Sequence, residues 1–397
     1  MSTSPRLLFV SGMFRSGTTL LGRMLNAHPR IAVASDPYLP FFKALRSREA
    51  ADLGIASSPD EPLGDYYFDR DQGRLFAAIQ QCSLERALDE AELPALRQRL
   101  CAYGQPYAPL VSTGLETLAG ATFAKLFDTM LELVAHHYGK VGAAYVGFKE
   151  VWADEFIPCL ARSVPGAKFL QIVRDPRAVC ASKNATRSRY TWLFMARQWR
   201  KLAALAWQYQ RQPGVDVKVI RYEDLVSEPL QSARDLCAWL GVDHSPQMSD
   251  PTAFVDGQGK PWIQNSSYGQ GAQEFARSGV DKWRGSLGPR ELALIETLCG
   301  PEMLLHGYRP DRLRGTIDEG LLRDPPLVDS ASLAAWARAY MRNDVPGTRA
   351  ELARESLRYA LLRPDGERAG AEEAFLFPGL LEALRPRFAQ IPAAIEI

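Results

Sequence analysis

Short apolar runs alternate with longer amphipathic stretches along most of this chain. Residues 6–10 (RLLFV), 31–34 (IAVA), 144–149 (AYVGFK), 167–173 (AKFLQIV) and 215–221 (VDVKVIR) read as buried strands. Between them the spacing predicts a helix over about 17–27, with Leu20, Leu21, Met24 and Leu25 on one side and Pro29 closing it. Further helices are predicted from Pro176 and over 190–211, 229–240 and 289–305. Helical periodicity also runs through 74–103, where Pro94 predicts a break, and through 115–138. Residues 49–73 and 243–280, rich in Gly, Pro and small polar side chains, predict loops. Strands alternating with helices imply a parallel sheet with helices on both faces. Beyond Gly315 strand signals cease, and residues 330–342, 347–362 and 370–386 look helical. The expected fold class is α/β, a P-loop-like parallel sheet flanked by helices. It carries a helical insertion over about 37–140 and a helical C-terminal extension, dividing the chain into 1–314 and 315–397.

Composition narrows the chemistry. Of the 397 residues 46% are apolar, enough for a sizeable core and against disorder. Lys plus Arg number 47 and Asp plus Glu 46, a formal charge of +1. That balance gives no support for nucleic-acid coating or a polybasic membrane patch, so any anion is handled by a few placed residues. No apolar run approaches the roughly 18–20 residues of a spanning helix. The apolar start is broken by Gly12, Arg15 and Ser16 and reads as a strand rather than a signal peptide. The cysteines (Cys82, Cys101, Cys159, Cys180, Cys237, Cys299) are widely spaced, with no CxxC and no Cys/His cluster. Neither a bound metal nor a disulfide framework is expected, and a cytoplasmic location suits such thiols.

The richest segment is Ser11-Gly12-Met13-Phe14-Arg15-Ser16-Gly17-Thr18-Thr19, between a predicted strand and a predicted helix. Two glycines allow close backbone approach, and a helix N-terminus favours an anion above it. A nucleotide-triphosphate loop reads GxxxxGK[ST]. Gly12, Gly17 and Thr19 match it, but Thr18 stands in the lysine place and the positive charge lies upstream at Arg15. That lysine reaches the β- and γ-phosphates of a triphosphate, so its loss weighs against NTP hydrolysis.

Arg15-Ser16-Gly17-Thr18-Thr19, continuing LLGRMLNAHP, resembles the 5′-phosphosulfate loop of the sulfotransferases that use 3′-phosphoadenosine 5′-phosphosulfate (PAPS), especially the tyrosylprotein and carbohydrate branches and their bacterial relatives. Residues 169–182 (FLQIVRDPRAVCAS) resemble that family's 3′-phosphate segment, with Arg174 at a strand end and Ser182 on the next helix. Arg221-Tyr222-Glu223-Asp224-Leu225 is similar to its YExL tract. Asn265-Ser266-Ser267-Tyr268 with Lys282-Trp283-Arg284 is similar to its late nucleotide loop. The resemblance spans about residues 6–308. It implies a PAPS donor, a hydroxyl-bearing acceptor (small molecule, saccharide or tyrosine), no nucleic-acid partner and no metal. It assigns Arg15, Ser16, Gly17, Thr18 and Thr19 to the 5′-phosphosulfate and Arg174 and Ser182 to the 3′-phosphate. Tyr222, Ser266 and Lys282 go to the nucleotide or sulfuryl group.

Sulfuryl transfer needs a cradle for the leaving phosphate, a cation near the bridging oxygen and a base for the acceptor hydroxyl. Asp36, in Ser35-Asp36-Pro37, stands where the family carries an acidic residue; a helix N-cap is its bland alternative. Lys149, at the end of a strand, is similar to the transition-state lysine; pairing with Glu150 is the plain alternative, and Glu150 is the reserve base. Arg174 and Asp175 would pair if they have no binding role. Tyr222 and Trp283 serve either the nucleotide or the core. The histidines fall in no motif. The insertion over about 37–140, which carries the aromatics Tyr38, Phe41, Phe42, Tyr66, Tyr67 and Phe68, is expected to cover the acceptor side. Two other classes stay open here. One is a P-loop kinase or NTPase using Thr19 and Asp175 for magnesium; the other is a non-catalytic nucleotide-binding relative.

Overall fold

The computed structural model describes residues 5–57, 70–138, 140, 142–182, 190–262, 275, 277–326, 333, 345–366 and 374–391. The strands are β1 (Arg6–Gly12), β2 (Ile31–Ser35), β3 (Tyr145–Lys149), β4 (Lys168–Val173) and β5 (Val217–Arg221). Helices α1 (Thr18–Asn26), α2 (Leu39–Asp52), α3 (Arg70–Gln81), α4 (Leu93–Gly104), α5 (Pro109–Ser112) and α6 (Phe123–Tyr138) precede β3. Helix α7 (Ile157–Ser163) leads into β4, and α8 (Pro176–Cys180) and α9 (Trp192–Tyr209) follow it. After β5 come α10 (Tyr222–Ser227), α11 (Pro229–Leu240), α12 (Pro289–Leu305), α13 (Glu319–Arg323), α14 (Val345–Leu362) and α15 (Pro378–Phe388).

The strands form one five-stranded sheet in the order β2-β3-β1-β4-β5. β1 pairs in parallel with β3 and β4, and β3 with β2. The expected class is what the chain adopts: a P-loop-like parallel sheet flanked by helices. β1 lies mid-sheet, where the strand order reverses, and in open α/β sheets ligands sit beyond the strand C-termini at that point.

The chain forms two compact units. The first comprises Met1–Leu63, Arg74–Ile172 and Tyr209–Arg277. Its core is aromatic. The Phe9 ring lies 5.3 Å from Phe148, 6.2 Å from Phe42 and 6.3 Å from Phe169. Phe41 meets Phe123 and Phe127 at 5.5 and 5.7 Å. Tyr38, just before α2, and Phe41 and Phe42 within it are fully buried and belong to this core. Tyr66, Tyr67 and Phe68 lie outside the described residues.

The second unit comprises Gly64–Gly73, Val173–Gln208 and Ser278–Ile397. Trp207 of α9 shares a core with Tyr359 and Leu362 of α14 and with Leu380, Leu384 and Phe388 of α15. Beneath it runs a chain of alternating charges, all fully buried. Arg200 donates to Glu355 at 2.6 Å, Arg358 to Glu355 at 3.2 Å, and Arg358 also pairs with Glu302.

Several boundaries differ from the expectations above. Helix α2 runs to Asp52 and α3 begins at Arg70, inside the segment expected to be loop. The stretch expected to break at Pro94 does break, over 82–92, and Pro94 lies in the first turn of α4, where no amide donor is needed. The helix expected over 115–138 begins at Phe123, behind a 3-10 turn at Thr113–Thr117. Of the helix expected over 330–342, only Leu333 is described.

Candidate active site

β1 ends at Gly12, and the chain turns through Met13–Gly17 into α1. The Ser16 N–H donates to the Met13 carbonyl at 3.0 Å. Arg15 (φ 71°) and Gly17 (φ 96°) are both left-handed, a backbone that curls successive amides toward one concavity. Gly17 is the N-cap of α1 and no side chain caps the helix, so its first-turn amides face outward from the sheet end. Glycine is required there twice over. The left-handed φ disfavours any side chain, and a Cβ would run into the ring of buried Tyr222. Ser16 is 1% exposed, and its Oγ has no hydrogen-bond partner among the described residues. A buried hydroxyl left unpaired costs about 1–3 kcal/mol. A phosphate oxygen seated at the helix N-terminus offsets that cost, so these residues fit a phosphate-bearing donor.

Two adjacent strand ends place the acidic and basic groups. β2 and β3 pair with Ser35 opposite Lys149, and the Asp36 N–H donates to the Lys149 carbonyl at 2.7 Å. Asp36 is left-handed (φ 46°), which aspartate tolerates better than most residues. Its Oδ2 accepts an ion-paired hydrogen bond from Lys149 Nζ, and its Oδ1 has no partner among the described residues. Asp36 caps no helix: α2 starts at Leu39 behind Tyr38. Lys149 is only 2% exposed, so it is not a solvated lysine resting on Glu150.

Glu150 is occupied from both sides. Its Oε2 accepts from the Tyr38 N–H at 2.8 Å and its Oε1 from the Tyr103 hydroxyl at 2.9 Å. Burial pushes its carboxyl well above the usual carboxylate range, and the nearby Asp36 charge adds to this. A carboxyl raised in the folded state keeps its proton longer there than in the unfolded chain. Stability therefore falls as pH rises from the ordinary Glu value of about 4.3 toward the raised one. Glu150→Gln, which cannot ionise, is expected to flatten that fall. Unfolding midpoints between pH 4 and 8 check this, and an unchanged slope would count against it.

In the second unit, Arg174 follows β4 and donates to the Gly279 carbonyl at 2.6 Å, while its own carbonyl accepts from Trp199 Nε1 at 2.7 Å. Asp175 caps α8, accepting from the Arg177 N–H at 2.9 Å, and grips the Arg177 guanidinium at 2.7 Å. Helix α8 ends at Cys180, so Ser182 sits two residues past a single turn rather than on a helix two turns along. Lys282 is exposed on a 3-10 turn. Trp283 is buried, with the Arg177 and Arg284 guanidiniums 4.0 and 4.3 Å from its ring centre, which assigns it to packing. Ser266 and its neighbours in the late loop lie outside the described residues. Sequence reasoning passed over Tyr103, which clamps Glu150, and Arg23, a buried cation in the middle of α1. The one signal for Arg23 is a charge set directly between the apolar pairs of a short helix.

The human carbohydrate sulfotransferase 6 is 23% identical over 337 residues, 76% of this chain and 80% of that protein. Nodulation protein NoeE of Sinorhizobium fredii is 25% identical over 345 residues, 81% of this chain and 71% of its own. Among solved structures, a sulfotransferase domain from the curacin biosynthetic pathway aligns with a TM-score of 0.46 at 17% identity, over 78% of this chain and 99% of that one. The sequence profile of the Sulfotransferase family matches residues 5–246, more than half of the chain and the whole of the β1–β5 sheet with its phosphate-type loop. By that match, the chain belongs to the sulfotransferase family.

Proposed function

We propose that this chain moves a sulfuryl group from PAPS to a hydroxyl by in-line displacement, with a saccharide the favoured acceptor over a small molecule or a tyrosine. The buried, unpaired Ser16 hydroxyl at the uncapped start of α1 carries the reading, because it asks for an acceptor or donor atom from outside the chain. The preference for a saccharide rests on the carbohydrate sulfotransferases among the relatives.

In this reading Arg15 and the amides and hydroxyls of Ser16, Gly17, Thr18 and Thr19 hold the 5′-phosphosulfate. Arg suits the place because its planar fork binds two oxygens at once. Asp36 takes the acceptor proton as the new O–S bond forms and the bridging S–O bond breaks. Lys149 neutralises charge on the transferring group. The free Oδ1 of Asp36 favours it over Glu150, whose two oxygens are engaged. The roles of Arg174 and Ser182 at the 3′-phosphate, and of Tyr222, Ser266 and Lys282 at the nucleotide, rest on the motif resemblance. The location of the protein in the cell is proposed as cytoplasmic on its cysteine pattern alone. No helix among the described residues is long and apolar enough to cross a membrane.

Calorimetry tests the donor. Adenosine 3′,5′-bisphosphate, the desulfated product, is expected to bind without magnesium, and ATP is expected not to displace it. Tight uptake of ATP with indifference to the bisphosphate would overturn the reading.

A further inference from the structure

The backbone on both sides of Arg174 is held by side chains that the chemistry above does not use. β4 runs along β1 up to the pair of Ile172 with Gly12, so the carbonyls of Val173 and Arg174 lie beyond that ladder. Carbonyls past the end of a ladder must find side chains or water. Here each meets an aromatic donor. The Tyr308 hydroxyl donates to the Val173 carbonyl at 3.2 Å, and Trp199 Nε1 donates to the Arg174 carbonyl at 2.7 Å. Those carbonyls belong to the two planar peptide units that flank the Arg174 Cα, so both planes from which the side chain departs are pinned. The donors come from 135 and 25 residues away along the chain, and both are buried, at 4% and 1% exposure.

The two donors are braced against each other and against the turn they hold. Tyr308 closes the end of α12, where its N–H donates to the Met303 carbonyl at 3.0 Å. Just before it, His306 donates from Nε2 to the Ala203 carbonyl of α9 at 2.9 Å, one turn along from Trp199. Just after it, the Asp311 N–H donates to Glu296 at 2.9 Å, and Glu296 also accepts from Arg177 at 2.8 Å, on the short helix that follows Arg174. At the far end of the arginine side chain, the Gly279 carbonyl accepts from Arg174 at 2.6 Å. Satisfying two buried carbonyls needs only two donors. Donors that brace one another around a single arginine supply more: a fixed place for the guanidinium, as recognition within about 0.5 Å requires.

We propose that Trp199 and Tyr308 are positioning residues: they set the place of Arg174 and thereby the preference of this chain for an adenosine nucleotide with a 3′-phosphate over one with a free 3′-hydroxyl. This rests on the sulfuryl-transfer reading above and on its assignment of Arg174 to the 3′-phosphate. Both aromatics act through Arg174 and take no part in the transfer itself.

A ratio of affinities tests this. Adenosine 3′,5′-bisphosphate and adenosine 5′-monophosphate are titrated by calorimetry, and the quotient of their affinities isolates the 3′-phosphate. Tyr308→Phe removes one hydroxyl and Trp199→Phe removes the indole donor. Each is expected to lower the quotient about 3- to 10-fold, the scale of one hydrogen bond, by weakening the bisphosphate while the monophosphate binds as to the native protein. In an Arg174→Ala background, where the quotient is already low, Tyr308→Phe is expected to lower it no further. Circular dichroism checks that the variants fold; should Trp199→Phe fail to, the single-hydroxyl variant decides. An unchanged quotient in a folded variant, whether neither nucleotide is weakened or both are weakened alike, overturns the proposal. So does a full additional loss on top of Arg174→Ala. The native protein reports on the reading beneath: equal affinity for the two nucleotides removes Arg174 from the 3′-phosphate, and binding of neither removes the donor.

Discussion

Asp36→Asn is expected to lower turnover about 10²- to 10⁴-fold, the usual contribution of a positioned general base, and to leave affinity for the bisphosphate unchanged. Asparagine is the right replacement because residue 36 is left-handed at φ 46°, a backbone that Asn adopts readily and Ala does not. The amide retains an oxygen for Lys149 but cannot take a proton from the acceptor. Single-turnover transfer from labelled PAPS measures the loss, with thermal unfolding as a check that Lys149, deprived of its ionic partner, has not undone the fold. Full activity in a folded variant would remove Asp36 from the chemistry.

The second large effect is on stability. Arg358→Met removes the cation between Glu302 and Glu355 and leaves Glu302 as a fully buried carboxylate without a counter-charge. Breaking a buried pair from one side costs about 3–5 kcal/mol. At about 2–4 °C per kcal/mol for a body of 150–250 residues, the melting point should fall by on the order of 10 °C. The double variant Arg358→Met with Glu302→Leu removes the whole pair and keeps Arg200 with Glu355, so it should recover most of the loss. Equal melting points for the single and double variants would show that charge pairing is not what the network supplies.

The strand-by-strand frame was legible in the chain, because buried parallel strands read as short apolar runs and the loop after β1 carries its own signature. The place of Lys149 was legible too, because it closes the apolar run AYVGFK; its burial and its pairing with Asp36 were not. Helix α2 was not. Phe41, Phe42, Leu45, Arg46 and Ala50 are all buried; they spread over about half of the helix and include a charged residue, so no narrow apolar stripe shows. The reach of α8 was over-read, since Pro176 announces a start and nothing in RAVCAS announces so early a stop. The left-handed backbone of Asp36 comes from long-range packing and leaves no local mark.

The backbone link from Asp36 to Lys149 has a mechanical consequence. Asp36 and Lys149, proposed as proton acceptor and charge-neutralising cation, are joined main chain to main chain and again tip to tip, across two neighbouring strands. They form one rigid jaw, whose gap is set by sheet spacing. The distance between the two is thus held by the strand pairing itself and not by the surrounding loops.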